Sequence, residues 1–224
     1  MRKLLLATAA SVILGIAAGQ ADDKEKPTTY IDLQPKANQK LAEDFDPNTE
    51  GNNLAQVPKG EQKLEGMRFK IDEGLVQLGS KIKPGKPEKV SGIKVDKAFA
   101  KLHILQATEF GQSPPGDERH VPDNTIIAQY TLTYEDKSVE VIEVAYGKDV
   151  RDWWAFEDPP AVTRGKVAWK GNNDFAMQYG ASLRLFMTTW ENPKPDKKVV
   201  RIDFEKTSES AAAPFVIAMT AEGR

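Results

Sequence analysis

The sequence predicts an all-β fold, an antiparallel β-sandwich of the jelly-roll type formed by a single domain. In the segment Ile126–Tyr134 every second residue is apolar and the residues between them are largely polar, as a strand with one buried face requires. About ten runs rich in strand-forming residues follow one another, nearly all bounded by Gly, Pro, Asn or Asp. No amphipathic helix of three turns interrupts them, so strands are expected to form both layers.

The individual strands are predicted from the runs between these turn residues. The clearest pair is a hairpin in which Ile126–Tyr134 and Ser138–Tyr146 flank the polar turn Glu135–Lys137. The polar segments Lys36–Gln56 and Gly111–Asn124 break the pattern and are predicted to be surface loops, where binding groups are usually placed. The other strands are expected at Tyr30–Leu33, Met67–Ile71, Leu75–Leu78, Lys89–Val95, Phe99–Phe110, Val167–Lys170, Leu183–Trp190, Val199–Phe204 and Phe215–Thr220.

The N-terminal residues are typical of a secretory signal peptide. Arg2 and Lys3 precede an uncharged apolar run, and small residues follow it, which predicts cleavage after Ala21 or, alternatively, after Gly19. The run has about 15 residues and is shorter than the roughly 20 that a membrane-spanning helix needs. We therefore expect a signal peptide at 1–21, a flexible leader at 22–28 and one sandwich domain at 29–224, exported to the periplasm or the outside of the cell, with no membrane span after cleavage.

The composition argues against several classes of function. Of the 224 residues, 31 are Lys or Arg and 33 are Asp or Glu, for a net charge of -2, so no global positive field attracts nucleic acid. The chain has no cysteine and two histidines, His103 and His120, which leaves little material for a catalytic triad or a thiolate metal site. No nucleophile-elbow, phosphate-loop or HExxH motif is present. A non-catalytic protein is expected.

Four stretches together resemble a known class of module. They are Asp149–Trp154 (DVRDWW), Val167–Gly171 (VAWKG), Leu183–Pro195 (LRLFMTTWENPKP) and Ala213–Glu222 (APFVIAMTAE). The set is similar to galactose-binding-like and carbohydrate-binding domains, β-sandwich modules of exported bacterial proteins that accompany extracellular glycoside hydrolases. The resemblance spans most of the domain and implies its fold. It also suggests carbohydrate as the ligand, although many such domains have no assigned role.

The hairpin turn departs from the pattern of these modules. They tend to place glycine after the acidic residue of the turn, where this chain has Lys137. Either Lys137 adopts a positive φ or the turn is of a different type.

Trp153 and Trp154 are candidate ligand-binding residues. Sugar-binding proteins commonly stack an aromatic face on the apolar face of a pyranose and pair its hydroxyls with nearby polar groups. Adjacent residues of an extended segment point to opposite faces, so at most one of the two rings faces the core within the sheet. Arg151 and Asp152, with Glu157 and Asp158, supply polar partners. The alternative is that the pair closes one end of the sandwich by packing.

A second candidate group follows at the end of a predicted strand. Trp190 precedes Glu191 and Asn192, and Trp169 likewise stands beside a polar turn. Each ring is either a ligand contact or an anchor for the core or a loop.

The acidic residues Asp44, Asp46, Asn48 and Glu50 suggest a metal site. Oxygen ligands at alternate positions suit Ca²⁺, although the spacing fails the EF-hand pattern. An irregular calcium site and a solvated loop are the two interpretations.

Together these observations predict an exported, non-catalytic module that binds carbohydrate or another cell-envelope component. The first alternative is a protein-interaction or structural domain of the envelope, in which the same tryptophans are core. The second is a glycoside hydrolase, which requires two carboxylates that converge in a deep cleft.

Overall fold

The structure is a computed structural model and describes residues 26–224. It is nearly all β, with 49 % of the described residues in strands and 4 % in helices. The predicted signal peptide and residues 22–25 of the predicted leader lie outside the described residues. The elements are β1 (Thr28–Ile31), η1 (Gln34–Lys36), β2 (Gln39–Lys40), β3 (Gly60–Leu64), β4 (Met67–Ile71), β5 (Gly74–Gln77), β6 (Lys89–Lys97), β7 (Lys101–Glu109), β8 (Ile126–Tyr134), β9 (Val139–Ala145), β10 (Trp154–Ala155), β11 (Lys166–Gly171), α1 (Asp174–Gln178), β12 (Ser182–Glu191), β13 (Val199–Lys206) and β14 (Ala213–Glu222).

Two antiparallel sheets pack face to face, which confirms the predicted sandwich. The larger sheet has the order β10-β12-β7-β14-β5-β2, with β1 added beside β14 and β11 beside β12, and the smaller sheet has the order β6-β13-β8-β9. Strands β5 to β9 and β12 to β14 therefore form nested pairs, β5 with β14, β6 with β13, β7 with β12 and β8 with β9. This nesting is the double Greek key of a jelly roll.

The alternation in β8 does what its sequence predicts. Tyr130, Leu132 and Tyr134 are buried, and the intervening Thr131 and Thr133 are half-buried. The inward residues of β8 meet those of the larger sheet, as in sandwiches generally. Strand β14 instead buries both faces from Ala213 to Ala221. Strand β4 packs against it, and Phe45 of the segment that precedes β3 contacts Phe215.

In the hairpin between β8 and β9, Lys137 adopts a positive φ, which is the first of the two alternatives for this turn. Lys137 has a φ of 67°, a region that side-chain-bearing residues enter at a cost. The Asp136 side chain accepts hydrogen bonds from the backbone N–H and hydroxyl of Ser138 and pairs with Lys197. These contacts hold the turn in place without a glycine.

The structure corrects the prediction for residues 36–56. They contain the short strand β2, and Leu41, Phe45 and Leu54 are fully part of the core. The segment therefore covers part of the larger sheet instead of lying wholly in solvent. Its apolar residues are too widely spaced for either helix or strand periodicity, so the sequence pattern shows only its polar residues.

Strand β3 and helix α1 are among the elements that were not predicted from the sequence. Strand β3 pairs with β4 in a separate hairpin, and most of its side chains are exposed or half-buried. A strand that buries neither face gives no alternating apolar signal. The helix α1 has only five residues, too few for a helical period to stand out.

Candidate functional site

The structure separates the predicted binding residues into two groups at opposite ends of β12. Trp154 pairs with Leu183 near the start of that strand, whereas Trp190 is near its end. Seven residues of antiparallel strand span roughly 24 Å. The two groups therefore cannot contact the same sugar ring.

Trp153 and Trp154 occupy different environments. Trp153 is only 2 % exposed, and its ring centroid lies 4.5 Å from that of Phe45. Trp154 is partly exposed and lies at the edge of the larger sheet. Of the adjacent pair, only Trp154 presents a ring toward solvent.

Trp154 belongs to a cluster of four aromatic rings, here called the aromatic patch. Its ring centroid lies 6.3 Å from that of Phe156, 5.9 Å from that of Phe175 and 5.8 Å from that of Tyr179. Phe156 is 45 % exposed and Tyr179 is 59 % exposed. The rings are tilted by 38° to 63° relative to Trp154, so the patch has a contoured surface instead of a flat one.

The patch is held by asparagines from two distant parts of the chain. The indole N–H of Trp154 donates to Oδ1 of Asn52 at 3.2 Å, and Asn52 is buried. Asn173 caps α1 by accepting from the N–H of Ala176 and donates to the carbonyl of Asn53 at 2.9 Å. The segment around Asn52 therefore fixes both Trp154 and the helix that carries Phe175 and Tyr179.

Phe156, Phe175 and Tyr179 were not among the predicted site residues. Phe175 and Tyr179 are four residues apart at α1, a spacing that places side chains on one side of a helix. Asn173 followed by Asp174 is a sequence signal for a helix start. That signal points to α1, but nothing in the sequence shows that α1 lies beside Trp154.

The guanidinium nitrogens of Arg151 bind other residues of the domain. Its guanidinium makes a bidentate pair with Asp123 at 2.9 and 2.8 Å, and its Nε donates to the carbonyl of Ala161. The same guanidinium lies over the Tyr146 ring. Arg151 thus anchors the loop that precedes β10.

Asp152 is also held by the protein itself. Oδ1 accepts from the N–H of Trp154 at 3.1 Å, and its backbone carbonyl accepts from Nε of the buried Arg184. Burial raises the pKa of the Asp152 carboxyl to about 7, although the N–H of Trp154 and the charge of Arg184 act in the opposite direction. This group positions the backbone immediately before the aromatic patch.

We expect the Asp152→Asn variant to change how stability depends on pH. Because the folded protein holds this proton more tightly than the unfolded chain, the contribution of Asp152 to stability is complete below about pH 4 and is lost as pH rises through about 7. The free energy of unfolding of the variant, relative to that of wild type, should therefore increase by about 1–3 kcal/mol when the pH is raised from about 4.5 to about 8. Urea denaturation at both values measures the change. Asp174→Asn, at an exposed position, is the control, and an equal difference from wild type at both pH values in Asp152→Asn contradicts the prediction.

In the acidic segment predicted as a metal site, the carboxylates of Asp44 and Asp46 interact with other residues of the chain. Asp44 Oδ1 accepts from the N–H of Gly51 at 3.1 Å and from the side chain of Asn53 at 2.8 Å. Asp46 lies 3.5 Å from Nζ of Lys83, while Asn48 and Glu50 are exposed. Within residues 26–224, no three His, Cys, Asp or Glu side chains are grouped to hold a metal ion.

At the far end of β12, Trp190 and its neighbours have different roles. Asn192 is buried and donates to the carbonyl of Phe99 at 2.9 Å while accepting from the Tyr134 hydroxyl. Glu191 is exposed and pairs with Lys101 at 3.2 Å. Trp190 is half-buried and lines a cleft between the two sheets.

His103 lies on β7 and is buried. Its Nδ1 is 2.8 Å from the Thr189 hydroxyl and its Nε2 is 3.3 Å from the Glu222 carboxylate. Burial lowers its pKa, although Glu222 acts in the opposite direction. His120 contacts the carbonyl of Ser113 in the loop that precedes β8.

Comparison with models of known protein families, with curated proteins and with solved structures gives no match. The similarity to galactose-binding-like domains therefore stays a prediction from the sequence.

Within residues 26–224 no helix has both the length and the apolar character needed to cross a bilayer.

Proposed function

We propose that the protein is an exported, non-catalytic binding module that recognises carbohydrate, such as a cell-envelope glycan, through the aromatic patch. The observation that carries the proposal is the grouping of Trp154, Phe156, Phe175 and Tyr179 at one sheet edge, with two of the four rings about half exposed. Large aromatic side chains are usually buried. Exposed rings that are held in place by hydrogen bonds and packing supply a preformed surface for a ligand.

The chemistry of the patch suits a sugar ring. The apolar C–H face of a pyranose packs on an aromatic face, and hydrophobic contact contributes most of the affinity. Because the rings are mutually tilted, the surface fits a single chain or a chain end better than the flat face of a crystalline polysaccharide. Binding should be modest and nearly independent of salt, since no ion pair forms.

Removal of Tyr179 or Trp154 is the direct test. Loss of one stacking ring should weaken glycan binding by about three- to tenfold for Tyr179→Ala, and more for Trp154→Ala, whose ring contacts the other three. Isothermal titration against a panel of soluble oligosaccharides measures the affinities. The control is Val139→Ala, which removes an exposed apolar side chain from β9, an element on the other sheet.

Two results contradict the proposal. One is the absence of heat with every glycan of the panel. The other is equal affinity in wild type, Tyr179→Ala and Trp154→Ala for a glycan that does bind. Thermal unfolding of each variant establishes that the folded domain is being compared.

A protein-interaction role for the same patch is the second candidate. Met177 is 50 % exposed on α1 beside Tyr179, and methionine adapts its shape to a protein surface more readily than to a sugar. Under this alternative, Met177→Ala weakens binding to a partner as much as Tyr179→Ala does. Under the carbohydrate proposal, Met177→Ala leaves glycan affinity nearly unchanged.

A further inference from the structure

A cleft of about 360 Å³ opens between the two sheets, far from the aromatic patch. Strand β9 is the last strand of the smaller sheet. On the larger sheet, the pairing of β12 with β11 ends at Met187, so the strand has a free edge from Thr188 onward within the described residues. The cleft lies where these two free edges face each other, and its volume falls in the range of roughly 300 to 1,000 Å³ typical of ligand sites.

One wall of the cleft is fixed by two linked hydrogen bonds. The Tyr130 hydroxyl donates to Oε1 of Gln106 at 2.8 Å, and Nε2 of Gln106 donates to the Thr188 hydroxyl oxygen at 2.8 Å. The Tyr130 ring stacks on Phe204 at 4.5 Å. A satisfied network of this kind makes the wall rigid.

The rim of the cleft carries polar groups with unused hydrogen-bonding capacity. Nε and Nη2 of Arg164 bind the buried Asp149 carboxylate, and Nη2 also donates to the backbone carbonyl of Glu143 at 3.2 Å, but Nη1 makes no hydrogen bond to any described residue. The exposed Glu143 lines the same cleft, and no described residue donates a hydrogen bond to its carboxylate. Trp190 adds a half-buried aromatic ring. An aromatic ring, an unused donor and an unused acceptor thus line one space.

We propose that this cleft is a second binding site, for a neutral, hydroxyl-rich ligand of one or two sugar rings. A hydroxyl group both donates and accepts, so it can bond to the Glu143 carboxylate and to the Arg164 guanidinium at the same site. The carboxylates of Glu143 and Asp149 disfavour an anion, and Arg164 disfavours a cation. The Trp190 ring supplies the apolar contact that a sugar face needs.

The choice of carbohydrate as the ligand rests on the proposed function. The existence of a binding site in the cleft does not depend on that function. The aromatic patch and the cleft share no residue, and they contact opposite ends of β12. A module with both sites holds two glycan segments at once, which raises its avidity for a polymer above its affinity for a short oligosaccharide.

Amide chemical shifts of the ¹⁵N-labelled protein test the two sites separately. We expect titration with the neutral disaccharides lactose and cellobiose to shift amides at residues 141–144 and 188–190 for the cleft, and at 154–156 and 175–179 for the patch. Glucuronate and glucosamine should shift the cleft amides less than the neutral sugars at equal concentration. In Glu143→Gln, the cleft affinity should fall about fivefold or more while the patch affinity stays the same.

Two variants make the interpretation specific. Glu140→Gln is the matched control, because Glu140 lies on the same strand but pairs with Lys194 at 2.8 Å. Trp190→Ala should remove cleft binding. If that variant does not fold, Glu143→Gln carries the test, since its side chain is exposed.

The outcomes distinguish this proposal from the proposed function. Shifts confined to the patch overturn the second site and leave the patch proposal intact. Shifts confined to the cleft support the second site and overturn the patch as the binding surface. Cleft shifts that are the same in wild type and Glu143→Gln, or no shifts anywhere, overturn the cleft site.

Discussion

Trp153→Ala is expected to lower the free energy of unfolding by about 3–5 kcal/mol. The Trp153 ring packs at 4.5 Å from Phe45 and edge-on at 6.1 Å from Phe215. Both of those rings are themselves buried in the core, so the close-packed surroundings fill the space left by the indole only in part. Urea denaturation of wild type and variant measures the loss.

The adjacent tryptophan is the control for this result. Trp154→Ala removes a partly exposed ring and should cost less stability than Trp153→Ala. The two variants should differ in the reverse order for ligand binding, because only Trp154 belongs to the aromatic patch. A larger loss of stability in Trp154→Ala than in Trp153→Ala contradicts the assignment of Trp153 to the core.

Lys83→Met is expected to cost about 3–5 kcal/mol at about pH 8. Lys83 is 8 % exposed, and its Nζ donates to the Glu109 carboxylate at 2.5 Å and to the carbonyl of Phe45 at 2.7 Å. Lys83 therefore connects two parts of the chain, the segment that precedes β3 and the strand β7 of the larger sheet. Without Lys83, the buried carboxylate of Glu109 keeps its hydrogen bond from Gln77 but has lost its counter-charge, which is the costly half of a broken ion pair.

The stability that Lys83→Met loses should increase as the pH rises. Burial already raises the pKa of Glu109 to about 7, with Lys83 opposing that rise. When Lys83 is absent, the pKa rises further, and the carboxyl binds a proton in acid and loses its uncompensated charge. Lys83→Met should therefore be less destabilising at about pH 5 than at about pH 8. The measurement is urea denaturation at both values.

A double variant separates this explanation from simple loss of packing. Lys83→Met combined with Glu109→Leu removes both charges, so it should recover a large part of the stability that Lys83→Met loses at about pH 8. If the double variant is less stable than Lys83→Met by the full cost of a second core substitution, the unpaired charge is not the cause. Lys59→Met, at an exposed pair with Glu73, is the surface control and should change stability by less than about 1 kcal/mol.

Several features of the fold follow from local sequence. The hairpin of β8 and β9 is specified by alternation and by a short polar turn, which act between neighbouring residues. The positions of β4, β6, β12 and β13 agree with the predicted strands within a few residues for the same reason. Strand β3 and helix α1 lack such a local signal, because one buries no face and the other is a single short turn.

The candidate site depends on contacts between distant residues. Asn52 and Trp154 are 102 positions apart, and Asn52 and Asn173 are 121 apart, yet their side chains are hydrogen-bonded. The sequence indicates that both Trp154 and the polar segment around Asp46 are candidate binding regions. It contains no information on the distance between them in the folded protein. The cleft beside Trp190 likewise exists only because the edges of two sheets face each other.

By itself, the sequence determined that the domain is an antiparallel sandwich and that two adjacent tryptophans in an extended segment face opposite ways. Periodicity and turn chemistry carry that information, because they act over a few residues. The tertiary structure alone decided that Trp153 is the buried one, that Phe175 and Tyr179 join Trp154, and that Glu143 and Trp190 share a cleft. Which surfaces meet depends on how the two sheets and their covering segments pack, and that is a property of the whole chain.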